Sequence, residues 1–145
     1  MKEYLTTANI EATPEMVWKV LTDAAGYADW NPEIIAIDGR LGPGERIKAR
    51  VRLGDGNVRS VGMRVTAFDA PSLMEWTGGM PLGLFTGKRT FTVTPRDGGA
   101  EFRLHLQMSG LLSPLIIKSV GDRQPEIDNF FAALKKRAEG RPWGA

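Results

Sequence analysis

The chain has 145 residues, with 19 Lys and Arg against 17 Asp and Glu, one histidine and no cysteine, for a formal net charge of +2. This near balance argues against a nucleic-acid binder, and the absence of thiols excludes disulfides and thiolate chemistry and, with a lone imidazole, argues against a zinc enzyme. The length suits one domain over residues 1–145, large enough to bury about 68–70% of its unfolded surface without covalent staples. Met1-Lys2-Glu3-Tyr4 offers no apolar run, and the longest apolar stretch, Leu111 to Ile117, is interrupted by Ser113 and Pro114. A cytoplasmic protein with no membrane span is therefore expected.

In chain order, Tyr4 to Ile10 alternates weakly and reads as a first strand. A helix follows, with Thr13 as N-cap, Pro14 at the first helical position, Glu15 favourable to the dipole, and Val17, Val20 and Leu21 as its buried stripe. Thr22-Asp23 stops or re-caps it. Ala24 to Trp30 gives at most two short turns before Asn31-Pro32 forces an extended exit. This elbow lacks the basic and amide side chains of a DNA-reading helix.

From Ile34 the period becomes two. Ile34 to Ile37 is a short strand; then Ile47, Ala49, Val51 and Leu53 alternate with Arg46, Lys48, Arg50 and Arg52, a half-buried strand with a basic outer face. That face is read as solvated, with an acidic protein or an anionic lipid surface as its candidate partner. Gly54-Asp55-Gly56-Asn57 marks a hairpin into Arg59, Val61, Met63, Val65 and Ala67, and Asp69-Ala70-Pro71-Ser72 turns the chain into Leu73 to Thr77. Gly78 to Gly87, with four glycines, reads as a mobile apolar loop carrying Met80, Leu82, Leu84 and Phe85. Arg89, Phe91 and Val93 share one face of the next strand; Phe102, Leu104, Leu106 and Met108 share the inner face of the last, which puts His105 outside.

The C-terminal stretch has helical spacing, with Leu112, Leu115, Ile116, Val120, Ile127, Phe130, Phe131, Leu134 and Ala138 on one face. Gly121 and Pro125 predict a kink or a fresh start with Asp122 as N-cap, and Gly140 and Pro142 end the helix. Strand, two short helices, six strands in hairpin succession and a long helix make an α+β domain. Inward polar groups are few: Asn31, Arg89, Arg123 and, if they turn inward, Glu75 and Ser119. Arg89 is expected to reach solvent or meet a carboxylate, either a ligand's or that of Glu75. Arg123 is expected to snorkel.

The segments Ile10 to Asp23, Tyr27 to Pro32, Gly87 to Phe91 and Ser109 to Leu112, in this order, resemble the SRPBCC superfamily. It includes START lipid-transfer domains, bacterial polyketide cyclase/dehydrase-like proteins and the birch-pollen allergen fold. The resemblance implies a helix-grip architecture, a curved antiparallel sheet of about seven strands wrapped around the C-terminal helix over a deep apolar cavity. Many related bacterial sequences carry histidine where this chain has Arg89, so no histidine chemistry is carried over. The ligand site is expected to use Trp30 and Asn31 at the mouth, with Val51, Met63, Trp76, Phe91 and Leu104 from the sheet and Phe85 from the apolar loop. Ile116 and Val120 would line the helix side, and Arg89 or Arg123 would receive a polar end. The expected function is binding or transport of an apolar small molecule of lipid, isoprenoid or polyketide class, with no cofactor or metal and no nucleic acid, and a homodimer left open. The alternatives are a polyketide cyclase/aromatase/dehydratase-like enzyme, working through Asn31, Arg89 and ordered water with no acid or base assigned as catalytic, and a chaperone-cofactor-like interaction module.

Overall fold

Period-two alternation in the middle of the chain is realised as a single antiparallel sheet of seven strands in the order β1-β7-β6-β5-β4-β3-β2. The computed structural model describes residues 1–140; Pro142 and Trp143 lie outside the described residues. The strands are β1 (Lys2–Ile10), β2 (Ile34–Asp38), β3 (Arg46–Arg52), β4 (Val58–Asp69), β5 (Leu73–Met80), β6 (Phe85–Arg96) and β7 (Gly99–Ser109). Between β1 and β2 lie α1 (Pro14–Thr22), a 3-10 turn (Ala24–Gly26) and α2 (Tyr27–Trp30); after β7 come α3 (Ser113–Val120) and α4 (Gln124–Ala138). This is the α+β helix-grip arrangement, with register irregularities at Ile34/Ala36 and Val65/Ala67 that help the sheet curl. Among the described residues no helix is long and apolar enough to cross a membrane.

Local chemistry explains the corners. Thr13 Oγ1 accepts the Met16 N–H at 3.1 Å and Pro14 opens α1, as a capped helix start requires. Thr13→Ala should cost about 1 kcal/mol, read as a lowered urea midpoint with an unchanged m-value. Val17, Trp18 and Leu21 face the core, while Val20 is only half-buried.

The stretch from Gly78 to Gly87 is not the loop expected from its glycines. It is a paired hairpin, with Gly78 opposite Gly87, Gly79 opposite Thr86 and Met80 opposite Phe85, leaving only residues 81–84 to turn. The glycines serve close approach rather than freedom. Gly79 sits at φ +140°, where a Cβ would run into the Phe85 carbonyl. Gly79→Ala should therefore destabilise by more than about 1 kcal/mol, visible as a drop in Tm.

The C-terminal stretch is two helices, not one. Gly121, at φ +76°, ends α3, and α4 starts after Arg123; Asp122 Oδ1 accepts the Gln124 N–H at 3.1 Å but is not the N-cap residue itself. The two helices bury very different amounts. Ile127, Phe130, Phe131, Leu134 and Ala138 of α4 are buried, whereas Leu115 of α3, expected on the buried face, is 66% exposed. The Phe130 ring lies 5.8 Å from Trp30, 6.4 Å from Phe91, 6.1 Å from Phe102 and 6.1 Å from Phe131, centroid to centroid. It fills the concave face beneath α4. Under α3 that face stays open.

Candidate functional site

The open half of the concave face is a cavity of about 210 Å³ lined almost wholly by apolar atoms. Val51 and Leu53 of the β3 end, Val61 and Met63 of β4, Phe85 and Gly87 of β6, and Leu106 and Met108 of β7 form its sheet wall. Ile116 and Val120 of α3 form the facing wall, and three arginines, Arg59, Arg89 and Arg123, supply its polar lining. Arg59 is exposed and donates to Ser119 Oγ of α3 at 3.1 Å, tying β4 to the helix across the space.

Arg89 and Arg123 meet at Glu33, a residue that sequence reasoning did not single out. Asn31 builds the position: its Oδ1 accepts the N–H groups of Glu33 and Ile34, both at 2.9 Å, fixing the turn after α2. The Glu33 carbonyl then accepts the Arg52 N–H at 2.8 Å, which anchors this turn to the end of β3. The Glu33 carboxylate is thereby held inside the molecule, 1% exposed. Arg89 grips it with two hydrogen bonds, Nη1 to Oε1 at 3.0 Å and Nη2 to Oε2 at 2.5 Å. Arg123 adds Nη2 to Oε2 at 2.7 Å and donates to the Arg52 carbonyl at 3.4 Å, while its backbone N–H donates to Tyr4 Oη at 3.1 Å.

Burial pushes the Glu33 carboxyl up, but the charge and hydrogen bonds of Arg89, and then of Arg123, outweigh it and hold the group below its ordinary value. Glu33 is thus an ionised structural partner, not a proton carrier near neutrality. Burial drives the nearby Tyr27 phenol far above its usual range, with Arg89 opposing in part, and its hydroxyl donates to the Leu21 carbonyl. It too is no general base.

Several expectations are corrected. Arg123 does not snorkel and Arg89 does not reach solvent: they are 4% and 5% exposed, because both are held by hydrogen bonds to the buried Glu33 carboxylate, whose one charge offsets part of theirs. Glu75 does not turn inward; its Oε1 accepts from Thr66 Oγ1 on the outer face. Ser119 is exposed. Trp76, Phe91 and Leu104 are fully packed in the core rather than lining the cavity, with Phe91 against Phe130 of α4 and Trp76 against Phe91 and Tyr27. Trp30 packs on Tyr27 and Phe130, away from the opening. Asn31 is buried beneath the turn it organises and lines a separate outer groove with Pro32, Gly54 and Glu126. Val51, Met63, Phe85, Arg89, Ile116, Val120 and Arg123 do come together around the cavity, joined by Leu53, Arg59, Val61, Gly87, Leu106 and Met108. His105 points outward, its Nε2 3.2 Å from Glu3 Oε1. Glu33 had one legible signal: inward arginines require a carboxylate, and the acid flanking the buried Ile34 was available to provide it.

Residues 1–139 match the family model described as polyketide cyclase/dehydrase and lipid transport. The chain belongs to this family. Solved structures agree on the fold. An aromatase/cyclase from a Streptomyces species superposes with a TM-score of 0.77 at 16% identity, over 97% of this chain and 94% of that one. A START superfamily protein from Mycobacterium smegmatis gives 0.73 at 17% identity over 95% and 97%, and a Mesorhizobium loti protein 0.72 at 21% over 98% and 99%. No curated protein sequence matches. This member of the polyketide cyclase/dehydrase and lipid transport family carries its arginine-glutamate cluster at one end of a half-filled concave face.

Proposed function

We propose that this protein binds or carries an apolar small molecule, of lipid, isoprenoid or polyketide class, in the cavity between the sheet and α3, and does so in the cytoplasm. The observation that carries this reading is the pairing of an apolar wall with a few convergent polar groups at one end. Family membership supports the same class of ligand. A cyclase or dehydratase would use the same space but needs an acid or base within reach of substrate. Among the described residues lining the cavity the ionisable side chains are arginines, and the adjoining carboxylate is locked between two of them. A filled concave face would have favoured a docking module; the open apolar cavity supports a carrier instead.

The test is native mass spectrometry of the protein purified from its own host, followed by organic extraction. A stoichiometric apolar molecule, released on denaturation, is the expected result. An empty protein that also fails to take up a neutral naphthylamine fluorophore would overturn the carrier reading.

A further inference from the structure

The charges at the arginine end of the cavity do not cancel. Two guanidiniums face one carboxylate, which leaves a formal charge of +1 in a cluster whose side chains are at most 6% exposed. Among the described residues no other carboxylate lies within 4.0 Å of either guanidinium. Hydrogen bonding is likewise incomplete. Arg89 spends one N–H from each Nη on Glu33, and Arg123 uses Nη1 and Nη2 on Glu33 and the Arg52 carbonyl; the Nε–H of each donates to no described protein group. Both residues line the cavity. An uncompensated cation away from water is strongly unfavourable, and the space in front of it is where a counter-charge fits.

We infer that the ligand is an amphipathic monoanion, with a carboxylate head meeting Arg89 and Arg123 and an alkyl or aryl tail running between Val51, Met63, Ile116 and Val120. This rests on the carrier reading and narrows it. One added negative charge neutralises the cluster, and carboxylate is the geometry that guanidinium donors match best. A cavity of about 210 Å³ equals roughly seven water volumes at about 30 Å³ each, so the tail is short or protrudes past α3. Leu111, just before α3, and Leu115, next to the cavity-lining Ile116 in that helix, are exposed and give a protruding tail apolar surface to follow.

The experiment compares octanoate with 1-octanol, which share a tail and differ at the head, by titration into the ¹⁵N-labelled full chain. Octanoate should bind at least tenfold tighter, with saturable shifts at the Arg89 and Arg123 Nε–H resonances; octanol should shift only the wall residues. Arg103→Gln, exposed on β7 and outside the cavity lining, should keep that preference. Equal affinity of the two compounds, with both shifting the wall, would overturn the anionic head and leave the carrier reading intact. Loss of the preference in Arg59→Gln would place the head at Arg59 and overturn the assignment to the buried pair. Failure of both compounds and of the neutral fluorophore would remove the carrier reading itself.

Discussion

Glu33→Gln should destabilise the fold by about 3–5 kcal/mol, the range for removing one partner of a buried ion pair. The substitution keeps shape and removes charge, so Arg89 and Arg123 would stay buried at 5% and 4% exposure with nothing ionised to face. Against a total stability of about 5–15 kcal/mol, the loss is a large fraction and is measurable by urea denaturation. Replacing the cluster together, as Glu33→Leu with Arg89→Met and Arg123→Met, should recover most of it, because desolvation of three charges disappears along with their attraction. A loss under about 1 kcal/mol, typical of exposed pairs, would show that the arginines are solvated instead. The pH dependence has a definite sign. A carboxyl held below its ordinary value of 4.5 stabilises the fold at higher pH, and that contribution is lost as pH falls below 4.5 through the lowered folded value. The Gln variant should lack this segment of the acid-unfolding curve.

Phe130→Ala should cost about 3–5 kcal/mol, since the ring touches four aromatic neighbours from α2, β6, β7 and α4 itself. Ile116 makes the useful contrast. It is half-buried and lines the cavity, so Ile116→Trp enters existing space instead of overfilling a packed core and should change stability by less than about 1 kcal/mol. The same substitution should abolish ligand uptake. Stability and binding thus separate along the C-terminal segment: α4 holds the fold and α3 borders the site. Should Ile116→Trp lower Tm as strongly as Phe130→Ala, that division of labour would fail.

Much of this was legible in the sequence for definite reasons. Strict alternation at Ile47, Ala49, Val51 and Leu53, the Thr13-Pro14 helix start and the Gly54 to Asn57 hairpin are local signals that tertiary packing did not override. The glycines from Gly78 to Gly87 were misleading because glycine marks close backbone approach as readily as flexibility, and only the register with Gly62 and Phe85 tells them apart. The helical stripe was continuous on paper, yet Leu115 is exposed and Phe130 buried: periodicity names a face, while the surface opposite decides whether it is covered. The cluster was half visible. Arg89 and Arg123 were placed inward by spacing, but their common partner sits 56 and 90 residues away from them in the chain, and nothing local to either arginine points to Glu33. Of the twelve residues expected to bind ligand, Trp76, Phe91 and Leu104 lie in the core, Phe91 against Phe130 of α4 and Trp76 against Phe91 and Tyr27.

The measurement that tests the central claim most directly is a fluorescence titration with N-phenyl-1-naphthylamine, a neutral apolar probe, on the wild type and on Ile116→Trp. A saturable one-to-one enhancement in the wild type, lost in the variant while its Tm holds, is the predicted result. Probe binding that survives with the cavity filled would place the site elsewhere and contradict the account.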